Sequence, residues 1–200
     1  MQTHARPAST SLQIAEPPIA RFLFADTRLA PLWTIIRLYL GYEWLMAGWG
    51  KLTNPAGVWV GAKAGTAVTG FIKGALEKTS GDHPDVSGWY ATFLQQVALP
   101  NVVLFSYLVT FGELLVGVAL ILGLLTGIAA FFGGFMNANF LFAGAVSTNP
   151  LLLLLAILII LAWRVAGYWG LDRWVLPLVG VPSAAGTLFR HGEPTAPSQS

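Results

Sequence analysis

Glu113 is the residue of this sequence best placed to do chemistry, because it is an acid near the centre of the long apolar stretch 101–125. A charged acid at the middle of a bilayer costs on the order of 2.5–3.5 kcal/mol on insertion scales. Such a residue usually faces the interior of a helix bundle, where it finds a partner or takes up a proton. Ser106, Thr110 and Gly117 share its face at helical spacing. The pattern predicts a polar face turned towards neighbouring helices.

Two arginines and a second acid lie on the neighbouring apolar stretches. Arg37 and Arg164 are expected in one half of the membrane, within side-chain reach of Glu113, whereas Glu43 is expected in the other half. Two interpretations of Glu113 stay open. It either forms a structural ion pair with Arg37 or Arg164, or it handles protons.

Three further polar residues lie on or beside these stretches. Asn137 and Asn139 are expected to hydrogen-bond between helices, and for Asn137 the alternative is contact with a ligand. Lys51 either extends its ammonium to the membrane surface as an anchor or contacts an anionic substrate outside the membrane.

Four apolar stretches must position these residues, and each has about the length that crosses a bilayer as a helix. Arg37, Gly41, Trp44, Gly48 and Lys51 fall on one stripe of the first stretch, which predicts close packing along its glycines. The sequence therefore predicts an all-α integral membrane protein built as a four-transmembrane-helix bundle. The stretches are 31–50, 101–124, 126–146 and 151–167.

The long connection 51–100 lies between the first two predicted spans. Its apolar residues recur at helical spacing over 66–79, which predicts a short amphipathic helix on the membrane, and 89–97 suggests a second short helix leading to Pro100. Aromatic residues in this connection suit an interfacial belt. The expected layout is an interfacial segment 1–29, a membrane domain 30–178 with 51–100 outside the cell, and a disordered tail 179–200. Arginines near both ends favour cytoplasmic termini of a multi-pass cell-membrane protein.

Composition excludes several classes of function. The chain has 200 residues, of which 55% are hydrophobic and only 10% are charged, whereas soluble domains carry about 25% charge. A net charge of +2 gives no reason to expect nucleic acid. The absence of cysteine excludes iron–sulfur ligation, and His4, His83 and His191 lie outside the apolar stretches, which excludes a bis-histidine haem between spans. A metal site is not expected.

Several segments resemble the DoxX/DoxD family over about residues 30–178. They are RLYLGYEWLMAGWGKL (37–52), GELLVGVALILGL (112–124), MNANF (136–140) and GLDRW (170–174). The long connection is more similar to the DoxD-like branch, the large subunit of thiosulfate:quinone oxidoreductase. The resemblance implies a role in sulfur metabolism, in which electrons pass from thiosulfate to membrane quinone. It also implies that Arg37, Lys51, Glu113 and Asn137 are the functional positions.

Quinone reduction takes up two electrons and two protons, so its site needs a proton source and hydrogen-bond donors. The hypothesis assigns Glu113 as the catalytic acid and Lys51 as the substrate contact, with a quinone-binding set of Arg37, Glu43, Asn137 and Arg164. No residue type here stores electrons, so a DoxA-like subunit or a soluble oxidoreductase is the expected partner, besides the lipid bilayer and further copies of the chain. The alternative is a non-catalytic membrane scaffold that recruits soluble redox enzymes. A small-solute transporter is a weaker third alternative.

Overall fold

The computed structural model describes residues 16–181, and every regular element in that range is helical. The expectations for residues 1–15 and for the tail from 182 onwards lie outside the described residues. The helices are α1 (Pro18–Ala25), α2 (Ala30–Leu52), α3 (Thr66–Leu76), α4 (Gly88–Phe93), α5 (Val102–Leu122), α6 (Thr126–Phe142), α7 (Asn149–Leu161), α8 (Trp163–Ala166) and α9 (Asp172–Leu178).

The four longest helices, α2, α5, α6 and α7, pack as an antiparallel bundle. α2 and α5 approach most closely, because glycines remove the side chains from their contact. A Cβ built on Gly117 would lie 2.5 Å from the backbone nitrogen of Leu45, and one built on Gly48 would lie 2.8 Å from that of Leu114. The predicted close packing along the glycine stripe is confirmed.

One helix of the described region, Gly88–Leu122, is long and apolar enough to cross a membrane by length and composition. α6 and α7 are apolar but shorter, with 17 and 13 residues. The predicted fourth span 151–167 is not a continuous helix. The backbone leaves helical geometry at Ala162, with φ −96° and ψ 15°, and α8 follows as a separate turn.

The connection between α2 and α5 is largely helical. The predicted amphipathic helix is confirmed as α3, followed by a 3₁₀ turn over Glu77–Thr79. The second predicted helix does not end at Pro100. α4 continues through a π turn (Leu94–Ala98) and a 3₁₀ turn (Leu99–Asn101) into α5, since these irregular turns accommodate a proline that lacks an N–H donor.

The apolar interior has two parts. The larger lies among α2, α5, α6, α7 and α8, and the smaller lies where α3 and α4 cover one end of α5 and α6. Tyr90 is buried in the smaller part, whereas its neighbour Trp89 is 63% exposed. The aromatic residues of the connection therefore do not all belong to an interfacial belt, because several of them fill this second core.

Candidate functional site

Glu113 forms an ion pair with Lys51 inside the bundle. Lys51 Nζ lies 2.6 Å from Glu113 Oε2, and the two side chains are 18% and 2% exposed. Gly48, one turn before Lys51, lets α2 approach Glu113 so closely that a Cβ there would lie 3.1 Å from the glutamate Cβ. Lys51 Nζ also lies 5.0 Å from the centre of the Trp59 ring, within cation–π range.

The predicted pairing of Glu113 with Arg37 or Arg164 is wrong. Among the described residues Lys51 is the only ion-pair partner of Glu113. Arg37 lies at the opposite end of α2, where Nε donates to the carbonyl of Ala166 at 2.9 Å and Nη1 donates to those of Leu120 and Ile121. Because the last carbonyls of a helix have no partner within it, a buried guanidinium there satisfies them.

The GLDRW segment has a structural role at this same end. The Asp172 carboxylate accepts hydrogen bonds from the backbone N–H groups of Leu125, at 2.5 Å, and Thr126, at 2.9 Å, and so caps the start of α6. Its own N–H donates to the carbonyl of Gly123, whose φ of 64° makes the sharp turn between α5 and α6. Arg164 lies on α8, close to this end of the bundle.

Asn137 is fully buried, and neither amide atom of its side chain has a hydrogen-bond partner among the described residues. The same holds for Nε1 of Trp44, which faces Gly133, one turn before Asn137. The interhelical hydrogen bond predicted for Asn137 is therefore not formed with any group in residues 16–181. The Glu43 side chain is partly exposed on α2 and has no ion pair in the described part of the chain.

A cavity of about 540 Å³ lies between α5 and α6 on one side and the covering helices, α3 and α4, on the other. Eight aromatic side chains line it, and its polar corner is formed by Tyr90 and Asn139. Tyr90 Oη lies 3.0 Å from the Asn139 carbonyl and 3.1 Å from its Oδ1, so the hydroxyl donates to one of these oxygens. The interhelical hydrogen bond predicted for Asn139 is confirmed. The aromatic residues are Trp59, Phe71, Tyr90, Phe93, Phe105, Phe132, Phe135 and Phe140.

The cavity and the ion pair lie on adjacent faces of α5. Gly112 lines the cavity, whereas Glu113 faces α2, and Trp59 contacts both the cavity and Lys51. The carbonyl of Trp59 accepts a hydrogen bond from Ser106 Oγ at 2.6 Å, which ties this cavity wall to α5. The predicted quinone-binding residues Arg37, Glu43, Asn137 and Arg164 do not line this cavity.

Sequence reasoning missed Tyr90 and the cavity itself. The available signal was aromatic residues at helical spacing in two separate segments, as in Phe132, Phe135 and Phe140 of α6. That spacing does not show that α3 and α4 fold over the aromatic face of α6, because this contact joins segments that are distant in sequence.

The described residues form an all-helical bundle with an ion pair buried in its apolar interior, and large apolar side chains are exposed on its outside. This combination is typical of membrane proteins. The family comparison agrees with this class. The DoxX family model matches residues 32–146, more than half of the chain, and the chain belongs to the DoxX family of membrane proteins. No curated protein and no solved structure matches the chain significantly.

Proposed function

We propose that the chain is the membrane subunit of a quinone-linked oxidoreductase in which Glu113 supplies protons during quinone reduction. The observation that carries this proposal is a carboxylate that is 2% exposed and follows directly after Gly112, a residue of the cavity wall. Among residues 16–181 it pairs only with Lys51. Intramembrane acids of this kind are expensive to bury and are usually retained for function. Their use as proton donors is common.

The cavity fits the ring of a quinone in size and lining. Its volume of about 540 Å³ lies within the range of ordinary ligand pockets, about 300–1,000 Å³. Bound quinone would supply a two-electron, two-proton acceptor. The residues of this chain would enclose the ring among aromatic side chains, exclude water and hold a proton at Glu113. Lys51, which is partly exposed, keeps that acid connected to the aqueous side.

The proposed topology follows from the antiparallel bundle. α2, α5, α6 and the combined α7–α8 segment would form four spans, with both termini in the cytoplasm and the covering helices α3 and α4 on the outer side. Arg28 follows α1 and Arg173 lies in α9, at the end of the bundle where the described residues begin and end, which agrees with an excess of arginine on the cytoplasmic side.

The electron donor is proposed from the similarity to the DoxD-like branch. Two thiosulfate ions joined through a new S–S bond give tetrathionate and two electrons, and quinone takes up these electrons with two protons. A DoxA-like subunit or a soluble oxidoreductase would deliver the electrons. The ammonium of Lys51 is already paired with Glu113, so its role in this proposal is to hold the acid rather than to bind thiosulfate.

Turnover of a Glu113→Gln variant tests the proposal in membranes that contain the complete complex. Gln keeps the size and hydrogen bonding of the side chain but carries no exchangeable acid proton, so quinone reduction should fall by about 10²–10⁴-fold while quinone still binds. The matched control is Glu77→Gln on the exposed 3₁₀ turn, which should retain full turnover. Full turnover by a well-folded Glu113→Gln protein would refute the role of Glu113. Purified complexes that hold soluble redox enzymes but no quinone would support the scaffold alternative instead.

A further inference from the structure

We infer that the aromatic cavity is a lateral-entry site for a lipid-soluble compound with a flat ring, a carbonyl oxygen and an apolar tail, and that Asn139 is the residue that binds the oxygen. The identification of this class of compound as quinones rests on the proposed function. It adds the site, the direction of entry and a specificity-determining residue on α6.

The mouth of the cavity lies between α5 and α6. Five of its lining residues are exposed; one is Phe71 on α3, and the other four lie on the outer surface of α5 and α6, two from each helix. In a membrane this outer surface faces hydrocarbon, so a ligand that enters here comes from the lipid phase rather than from water. The four residues are Leu108, Leu115, Phe132 and Phe135.

The polar corner lies at the other end of the cavity. Asn139 is seven residues beyond Phe132 on α6, which corresponds to about 10 Å along the helix axis. A ligand with its oxygen at Asn139 therefore has room to extend its tail towards the mouth. This end is also the one covered by α4, so the ring would sit near the membrane surface and the tail would point towards the centre of the bilayer.

Asn139 has a donor left for a ligand. Its Nδ2 carries two hydrogens, and one is donated to the carbonyl of Phe135 at 2.8 Å. Tyr90 Oη donates to one of the two Asn139 oxygens and does not use Nδ2, so the second N–H of Nδ2 has no partner among the described residues. A carbonyl oxygen accepts such a hydrogen, whereas the methyl end of a lipid chain does not. The aromatic walls favour a flat ring through stacked and edge-to-face contacts.

The test compares two asparagines with the same local hydrogen bond. Asn101 Nδ2 donates to the carbonyl of Val97 at 2.8 Å, four residues earlier, as Asn139 does to Phe135, but Asn101 is exposed and does not line the cavity. Binding of ubiquinone with a decyl tail is measured in lipid nanodiscs that contain the full chain. Asn139→Leu should weaken binding about tenfold, as expected for one lost hydrogen bond, and Asn101→Leu should leave it unchanged.

A cavity-filling variant keeps the test decisive if Asn139→Leu does not fold. Val109→Phe places a ring inside the cavity and should abolish binding. Equal binding by wild type, Asn139→Leu and Val109→Phe would overturn the inference, as would equally tight binding of decanol, which has a tail but no ring carbonyl. Turnover separates the two proposals. If binding depends on Asn139 while Glu113→Gln remains active, the site stands and the proton role fails. If Asn139→Leu leaves binding unchanged while Glu113→Gln is inactive, the proton role stands and the site fails.

Discussion

Replacing Lys51 by methionine should destabilise the protein more than replacing Glu113 by glutamine, although both changes break the same ion pair. Lys51→Met leaves a carboxylate with a 2% exposed side chain and no partner, and removal of one member of a buried pair costs about 3–5 kcal/mol. Glu113→Gln leaves a lysine that is 18% exposed and whose long stem can carry the ammonium to the surface. Its cost should be about 1–2 kcal/mol, the order of one hydrogen bond.

Unfolding in detergent micelles, followed by circular dichroism, measures this difference. For a chain of this length each kcal/mol corresponds to a shift of about 2–4 °C in Tm. Lys73→Met is the matched control, because Lys73 is an exposed lysine on α3, and it should change stability by less than about 0.5 kcal/mol. The double variant Lys51→Met with Glu113→Leu should recover most of the lost stability, since no buried charge is left unpaired.

Two results would refute this reasoning. One is a larger loss of stability for Glu113→Gln than for Lys51→Met, which would mean that the lysine cannot reach water. The other is strong coupling between Glu113 and Arg37. Because the hydrogen bonds of Arg37 within residues 16–181 all go to backbone carbonyls at the far end of α2, the effects of Glu113→Gln and Arg37→Met should add within about 0.5 kcal/mol.

Two further predictions concern packing and pH. Gly117→Ala should lower Tm, because its Cβ would lie 2.5 Å from the backbone of Leu45 and overpacking costs about 1–3 kcal/mol, whereas Gly74→Ala, with open space around its Cβ, should leave Tm unchanged or raise it. Arg28 donates two side-chain hydrogen bonds to the carboxylate of Asp26 and lowers its pKa, so this contact stabilises the segment before α2 above about pH 4 and is lost as pH falls through the lowered value. Hydrogen exchange of residues 18–29, corrected for its intrinsic pH dependence, should show this loss in the wild type but not in Asp26→Asn.

The helices and their buried faces were predictable because helical periodicity is local. Ser106, Thr110 and Glu113 are all buried as their shared face predicts, and the glycine stripe of α2 forms the expected contact. Helix ends were less predictable. The break at Ala162 and the continuous helix through Pro100 depend on packing and on irregular turns, which apolar composition does not show.

The partner of Glu113 was not predictable, because it depends on the register of α2 against α5. A shift of one turn moves a side chain by about 5.4 Å along the axis, which is enough to exchange one partner for another. The contacts of Gly48 with Leu114 and of Gly117 with Leu45 set this register and place Lys51 beside the acid. The role of Arg37 was hidden for a related reason, since its acceptors are main-chain carbonyls that every residue carries.

The ion pair and the cavity share one side chain, Trp59. Its ring lies 5.0 Å from Lys51 Nζ and also forms part of the cavity wall. Protonation of Glu113 would remove the negative charge that holds Lys51, and the lysine would then depend on the Trp59 ring and on water for stabilisation. Any movement of Lys51 towards water would therefore change the contacts of a side chain that lines the cavity. The side chain within cation–π range of the Lys51 ammonium is thus also part of the cavity wall, and the two sites lie on adjacent faces of α5.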